Sequence, residues 1–289
     1  MKRVLLVAPL TIMLLSSVMA NETTFELARE LLEENAYPLA AVEFRRFAME
    51  TTDTAAQSSA YLYAGYAYLL DHTPLTASEM FDRAEYADEA SIHWAELALL
   101  NAENARLAND PDTALYFYDA LAADSDEPAF QAFSLRRSAA IQLQQGDPTA
   151  ARRNLERSSM DESVSLQALE AYTGGKDKSP LAGGLWGLIP GAGYWYSGEL
   201  ANGFRSLILN TLFIYGMVDT AQDEQWGAFA IITFFEITWY SGSIYGGVDA
   251  AHRYNRDRLD TTINAIEGDM SYRPDPAVVI PVFKLNILF

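Results

Sequence analysis

Apolar and polar positions divide the chain into two unlike halves. From residue 21 to about 173, apolar positions recur at helical spacing and turn residues interrupt them at regular intervals, which predicts a succession of short helices. From Leu181 to Ala251 the pattern changes: Leu181 to Tyr196, Phe204 to Val218 and Trp226 to Val248 contain hardly a charge. Apolar runs of this kind predict membrane helices, because about 20 apolar residues cross a hydrocarbon layer about 30 Å thick. Gly174, Gly175, Lys176, Asp177, Lys178, Ser179 and Pro180 lie between the halves and read as a solvated linker.

The first half repeats. Ala40, Ala77, Ala114 and Ala151 lie 37 residues apart, and four residues after each stand Phe44, Phe81, Tyr118 and Leu155. Twelve residues before each are Ala28, Gly65, Ala102 and Ala139. Small residues in two columns let antiparallel helices approach closely, and the larger residue fills the groove the next copy presents. Pro74, Pro111 and Pro148 mark the start of each second helix, with Pro38 displaced by one, and Thr73, Asp110 and Asp147 are the expected N-caps. The predicted unit is helix, turn, helix over residues 21–173.

These columns resemble the tetratricopeptide repeat family, most closely in the second copy, through Tyr61, Ala64, Gly65, Tyr68, Ala77, Phe81 and Ala84. The period of 37 departs from the family's 34, so each linker would be about three residues longer. The resemblance implies a short solenoid with a concave face for a peptide or a neighbouring helix, and no catalysis. Tyr61, Tyr63, Tyr66 and Tyr68 wrap more than one helix face, so Tyr63 and Tyr66 are the candidate partner-binding residues.

In the second half, Gly183, Gly187 and Gly191 recur every four residues, as do Gly242 and Gly246. Helices in lipid associate through small residues that permit close backbone contact, so the two glycine faces are expected to touch. A phosphate-binding glycine loop would need a preceding strand and a nearby basic residue, and neither is present. Glu236, in the middle of the third apolar segment, is a candidate intramembrane acid, either protonated against a neighbour such as Tyr215 or facing a polar passage.

Ile189, Pro190, Gly191, Ala192, Gly193, Tyr194, Trp195, Tyr196, Ser197 and Gly198, with Gly203 beyond, and the closing run from Tyr245 through Asp249 to Tyr254 and Asn255, resemble the small membrane-domain family named for its two transmembrane helices. Tyr194 departs from that pattern, which commonly has a polar residue there. The resemblance implies a transmembrane helical hairpin and says little about activity. With two spans the basic tail around His252, Arg253, Arg256 and Arg258 ends outside, against the positive-inside rule. A third span over Leu181 to Tyr196 restores agreement, although Pro190 and Gly191 equally suit a re-entrant segment.

The expected organisation is therefore a signal peptide over 1–20, repeats over 21–173, a linker over 174–180, a membrane module over 181–251, and a tail over 252–289. The signal rests on Lys2 and Arg3, the apolar run Val4 to Leu15 and the small residues around Ala20. The tail should hold an amphipathic helix, Leu259 to Ile266, and a short strand in which Phe283, Leu285, Ile287 and Phe289 alternate with other residues. The fold class is all-α, a helical solenoid followed by two or three membrane segments.

Composition narrows the function. A net charge of −19 argues against a nucleic-acid surface. With no cysteine there is no thiol nucleophile and no disulfide, and His72, His93 and His252 lack metal-ligand spacing. No nucleophile elbow, zincin or P-loop pattern occurs, so no enzyme, cofactor or metal is expected. The expected function is a membrane-anchored periplasmic scaffold of the bacterial envelope, the inner membrane favoured over the outer. Its partners would be a protein on the repeats, the lipid bilayer and further copies of itself. The alternative is a subunit of a small oligomeric channel or transport accessory.

Overall fold

A computed structural model describes residues 24–88, 94–124 and 128–268. The expected signal peptide and terminal strand lie outside these residues. The described chain is all-α and divides into two compact units, the described residues up to 162 with 267 and 268, and residues 163–266.

The first unit contains α1 (24–33), α2 (Tyr37–Glu50), α3 (Thr54–Leu70), α4 (Pro74–Ala87), α5 (Trp94–Leu107), α6 (Pro111–Asp124), α7 (Pro128–Gln144) and α8 (Pro148–Arg157). Prolines open α4, α6 and α8, where a missing N–H costs nothing because the first turn leaves it unpaired. Asp110 accepts from the Thr113 backbone N–H at 3.1 Å and Asp147 from Ala150 at 2.8 Å. Thr73 does not cap as expected: its hydroxyl donates back to the Tyr68 carbonyl at 3.0 Å, with no cap bond to α4.

A further column fixes the repeat. Asn35, His72, Asn109 and Gly146, again 37 apart, all have φ between 56° and 82° and close the first helix of each pair. At each, two backbone bonds run back into that helix, such as Asn35 N–H to Leu32 and Ala36 N–H to Leu31, or Gly146 to Leu143 and Asp147 to Gln142. This is the Schellman ending, which satisfies carbonyls that a helix C-terminus leaves orphaned. The alanines and large residues of the two second-helix columns are all at most 1% exposed. At Gly65 a Cβ would strike the Phe81 ring, so the substituted alanine column tolerates a ring here only because the side chain is missing.

One aromatic group anchors the first copies: Phe44 stacks on Tyr63 at 5.2 Å between centroids, with Phe25 edge-on to both. This corrects the expected binding role of two tyrosines. Tyr63 is 1% and Tyr66 3% exposed, so both are core and neither can reach a partner.

The second unit contains α9 (Ser163–Gly174), α10 (Pro180–Trp186), α11 (Ala192–Tyr196), α12 (Leu200–Gln222) and most of α13 (Trp226–Glu267). Its boundary falls before α9 rather than in the linker. The segment Leu181 to Tyr196 is two short helices joined by the turn at Pro190, and seven residues of α10 rise only about 10 Å, so it cannot span. The expected tail helix from Leu259 is the continuation of α13, a single helix of 42 residues.

Candidate functional site

Glycines set the closest approaches in the second unit. A Cβ on Gly183 would fall onto the Gly247 carbonyl oxygen, one on Gly187 would lie 2.8 Å from the Ile244 Cα, and one on Gly193 would lie 2.9 Å from the Gly247 Cα. Gly191, at φ 86°, opens α11 in a conformation that favours glycine, with its α-carbon against the Gly203 carbonyl. The contact of α10 with α13 thus runs through Gly247 and Ile244, not through Gly242 and Gly246. Gly246 lies under the Tyr194 hydroxyl, and Gly242 faces open space. Gly198, at φ 89°, also has open space around it and serves the turn before α12.

The closing motif holds the linker. Asn255 accepts from the Lys178 backbone N–H at 2.7 Å and donates to the Lys178 carbonyl at 2.9 Å, matching both peptide groups as a paired strand would. The Lys178 ammonium lies 5.0 Å from the Tyr196 ring centre and 5.4 Å from that of Tyr254. Arg258 pairs with Asp177 and donates to the Tyr172 carbonyl at 2.7 Å. Arg253 bridges Asp249 and Glu199, the latter at 2.7 Å. Asn255→Ala removes two hydrogen bonds, at about 1 kcal/mol each. It is expected to speed trypsin cleavage after Lys176 and Lys178 several-fold, read from the fragments of a timed digest of the full chain.

Along α12 and α13 the usual placement of polarity is inverted. Ser206, Asn210, Glu236 and Ser243 are buried, none more than 7% exposed. Outward stand Phe204, Ile208, Leu212, Ile214 and Val218 on α12, with Ile231, Phe234, Phe235, Ile237 and Trp239 on α13, each about half exposed or more. The Ser206 and Ser243 hydroxyls share a hydrogen bond of 2.7 Å, and Asn210 donates to the Ser206 carbonyl at 2.6 Å. The Asn210 Oδ1 and Glu236 Oε2 atoms are buried without hydrogen-bond partners. Tyr215, the expected neighbour of Glu236, points outward at 67% exposure.

Among the described residues no helix is long and apolar enough to cross a membrane, which leaves the expected transmembrane hairpin without that support. The physical reason lies in the charges and the inward polar groups. The charge-free run of α12 between Arg205 and Asp219 rises only about 20 Å. In α13, Glu236, Thr233, Thr238 and the serines lower the mean hydropathy, although Glu236 and Ser243 face inward.

A cleft of about 340 Å³ opens between the first turns of α12 and the middle of α13, lined by Tyr194, Asn202, Arg205, Ser206, Trp239 and Gly242 among others. On the first unit, Tyr61, Glu79, Arg83 and Tyr86 line a shallow surface hollow, and Tyr86 is 95% exposed. Tyr86 was legible as an outward residue, since Ala77, Phe81 and Ala84 fix the inward face of α4. Among the described residues no group of three or more His, Asp or Glu side chains could hold a metal. Comparison of the chain with protein-family models, curated proteins and solved structures gave no match.

Proposed function

We propose that this chain is a membrane-held scaffold of the bacterial envelope, its helical repeats engaging a protein partner and its glycine-packed second unit resting in lipid. The observation that carries the reading is the inversion of polarity in α12 and α13. In water, polar residues face out and apolar ones in; a contiguous outward belt of Ile, Leu, Phe and Trp is the arrangement that hydrocarbon stabilises. In water this belt contributes nothing to folding, because it is as exposed in the folded chain as in the unfolded one, whereas covering it with hydrocarbon is favourable by about 25 cal/mol for each Å² of apolar surface. Close helix contacts through glycine fit the same solvent, where small residues rather than apolar burial drive association. The repeats support the partner role through their regular architecture, in which tetratricopeptide-like units would present an extended surface. The inner membrane and a periplasmic repeat unit complete the reading.

A second reading, a subunit of a small oligomeric channel or transport accessory, is favoured by the buried, unpartnered Glu236 Oε2. One experiment addresses both. The chain has no cysteine, so Leu212→Cys, Ile237→Cys and Tyr86→Cys each carry a single polarity-sensitive label. In vesicles, labels at 212 and 237 are expected to shift to the blue while that at 86 stays water-like. Water-like emission at all three overturns the lipid reading. The same vesicles, loaded with a pH-sensitive dye, test for proton flux; flux lost in Glu236→Gln would favour the channel over the scaffold.

A further inference from the structure

Of the second unit's arginines, Arg253 and Arg258 are each held by a carboxylate, whereas Arg205 and Arg256 have no ion pair among the described residues. Arg205 has only the Asn202 Oδ1 atom, at 3.3 Å, and is the one of the two that lines a cleft. It lines the cleft of about 340 Å³ between α12 and α13, beside the Tyr194 ring, the Ser206–Ser243 hydroxyl pair and Asn202, whose amide donates to the Glu199 carboxylate at 2.6 Å. Trp239 forms one wall, and Gly242 leaves open space where any other residue would project a side chain.

The cleft also has a direction. Ser206 opposite Ser243 and Gly216 against Ile232 set an antiparallel register for α12 and α13. From Arg205, the exposed residues Ile208, Leu212 and Tyr215 follow at helical spacing along α12, and Trp239, Phe235 and Ile231 follow from Gly242 along α13. Each row runs along its helix for about 15 Å. A guanidinium with free donors at one end and an apolar double ridge leading away from it match an amphiphile with an anionic head and a hydrocarbon tail. Arg is suited to a phosphate head because its planar donors bind two oxygens at once.

We infer that the α12–α13 cleft binds a phospholipid of the surrounding membrane, its phosphate on Arg205 and an acyl chain along the ridge from Ile208 to Tyr215. This rests on the proposed lipid-facing role of the second unit, and it adds a specific headgroup site to a general apolar contact. The phosphate is the recognised group, so an anionic lipid with an exposed phosphate binds more tightly than one whose phosphate is covered by a choline.

The test uses the full-length chain purified in a neutral sugar detergent, with retained lipid counted by native mass spectrometry after addition of phosphatidic acid, phosphatidylcholine or inorganic phosphate. The wild-type chain is expected to retain one phosphatidic acid at least tenfold more tightly than phosphatidylcholine. Arg205→Gln should weaken that retention about tenfold, and Arg205→Lys, which keeps the charge but not the planar fork, should weaken it by less. Gly242→Leu fills the cleft where a Cβ meets nothing, so it should abolish retention while leaving the melting temperature unchanged. Equal retention by wild type, Arg205→Gln and Gly242→Leu overturns the site. Competition by inorganic phosphate at the same concentration as the lipid overturns the acyl-chain half of it. Failure of the lipid-facing reading itself shows separately, as no partition of the labelled chain into vesicles of either composition.

Discussion

Gly183→Val is expected to dislodge α10 from α13 and to lower the stability of the full chain by about 3 kcal/mol, at the upper end of the overpacking range. The cause is not the lost flexibility of a glycine. A Cβ at this position would meet the carbonyl oxygen and carbonyl carbon of Gly247, and backbone atoms within a helix of 42 residues cannot turn aside as a side chain can. Gly193 sits in the same contact, so separating α10 from α13 to admit a methyl also pulls α11 from its seat. The check is thermal unfolding of the full chain in one detergent. Gly242→Val, at a position where a Cβ meets nothing within 4 Å, serves as the matched control and should melt within about a degree of wild type. If Gly183→Val melts with the control, the glycine contact does not hold the second unit together.

Much of the first unit was readable because a repeat writes each structural requirement four times. The buried alanine column and the Phe44, Phe81, Tyr118 and Leu155 column each needed only a fixed spacing to be recognised. The left-handed column has the same spacing but no chemical signature, because Asn35, His72, Asn109 and Gly146 share a conformational tolerance rather than a chemical type. Tyr63 and Tyr66 read as outward residues for a related reason. Four tyrosines on one helix cannot all be buried by that helix alone, but α3 is covered by α2 on one side and α4 on the other, and buries ten successive residues from Ser58 to Ala67. In the second unit the sequence shows which residues are polar but not which way they face. Ser206, Asn210, Glu236 and Ser243 look like flaws in apolar helices until the register of α12 against α13 turns all four inward.

Glu103→Leu is expected to cost the first unit about 3–5 kcal/mol, the range for removing one partner from a buried ion pair. Nothing in the sequence pattern announces this residue. In the structure its carboxylate accepts from the Tyr118 hydroxyl at 2.6 Å and from Arg106 at 2.9 Å, and lies 3.2 Å from the Arg137 Nε. Tyr118 belongs to the repeat's large-residue column and is fully buried, so the leucine would strand its hydroxyl and take one of two carboxylates from Arg137, which is 8% exposed. Arg137 keeps one other carboxylate, Glu267, at 2.8 Å, and that remaining pair places the loss toward the lower end of the range. Tyr118→Phe removes only one hydrogen bond to a charged group and should cost about 2 kcal/mol. The pH dependence follows from the same contacts. Burial alone would raise the Glu103 pKa, but the Arg137 and Arg106 charges and the Tyr118 hydroxyl together hold it below its ordinary value. A carboxylate whose pKa is lower folded than unfolded stabilises the fold above the unfolded pKa, and that contribution disappears as the pH falls through the folded one. Wild type should therefore lose stability on acidification below the ordinary glutamate range, and Glu103→Leu should lose less over the same interval. Chemical unfolding of both chains between pH 7 and the acid limit of solubility measures the difference, and parallel pH profiles would assign the acid sensitivity to other carboxylates.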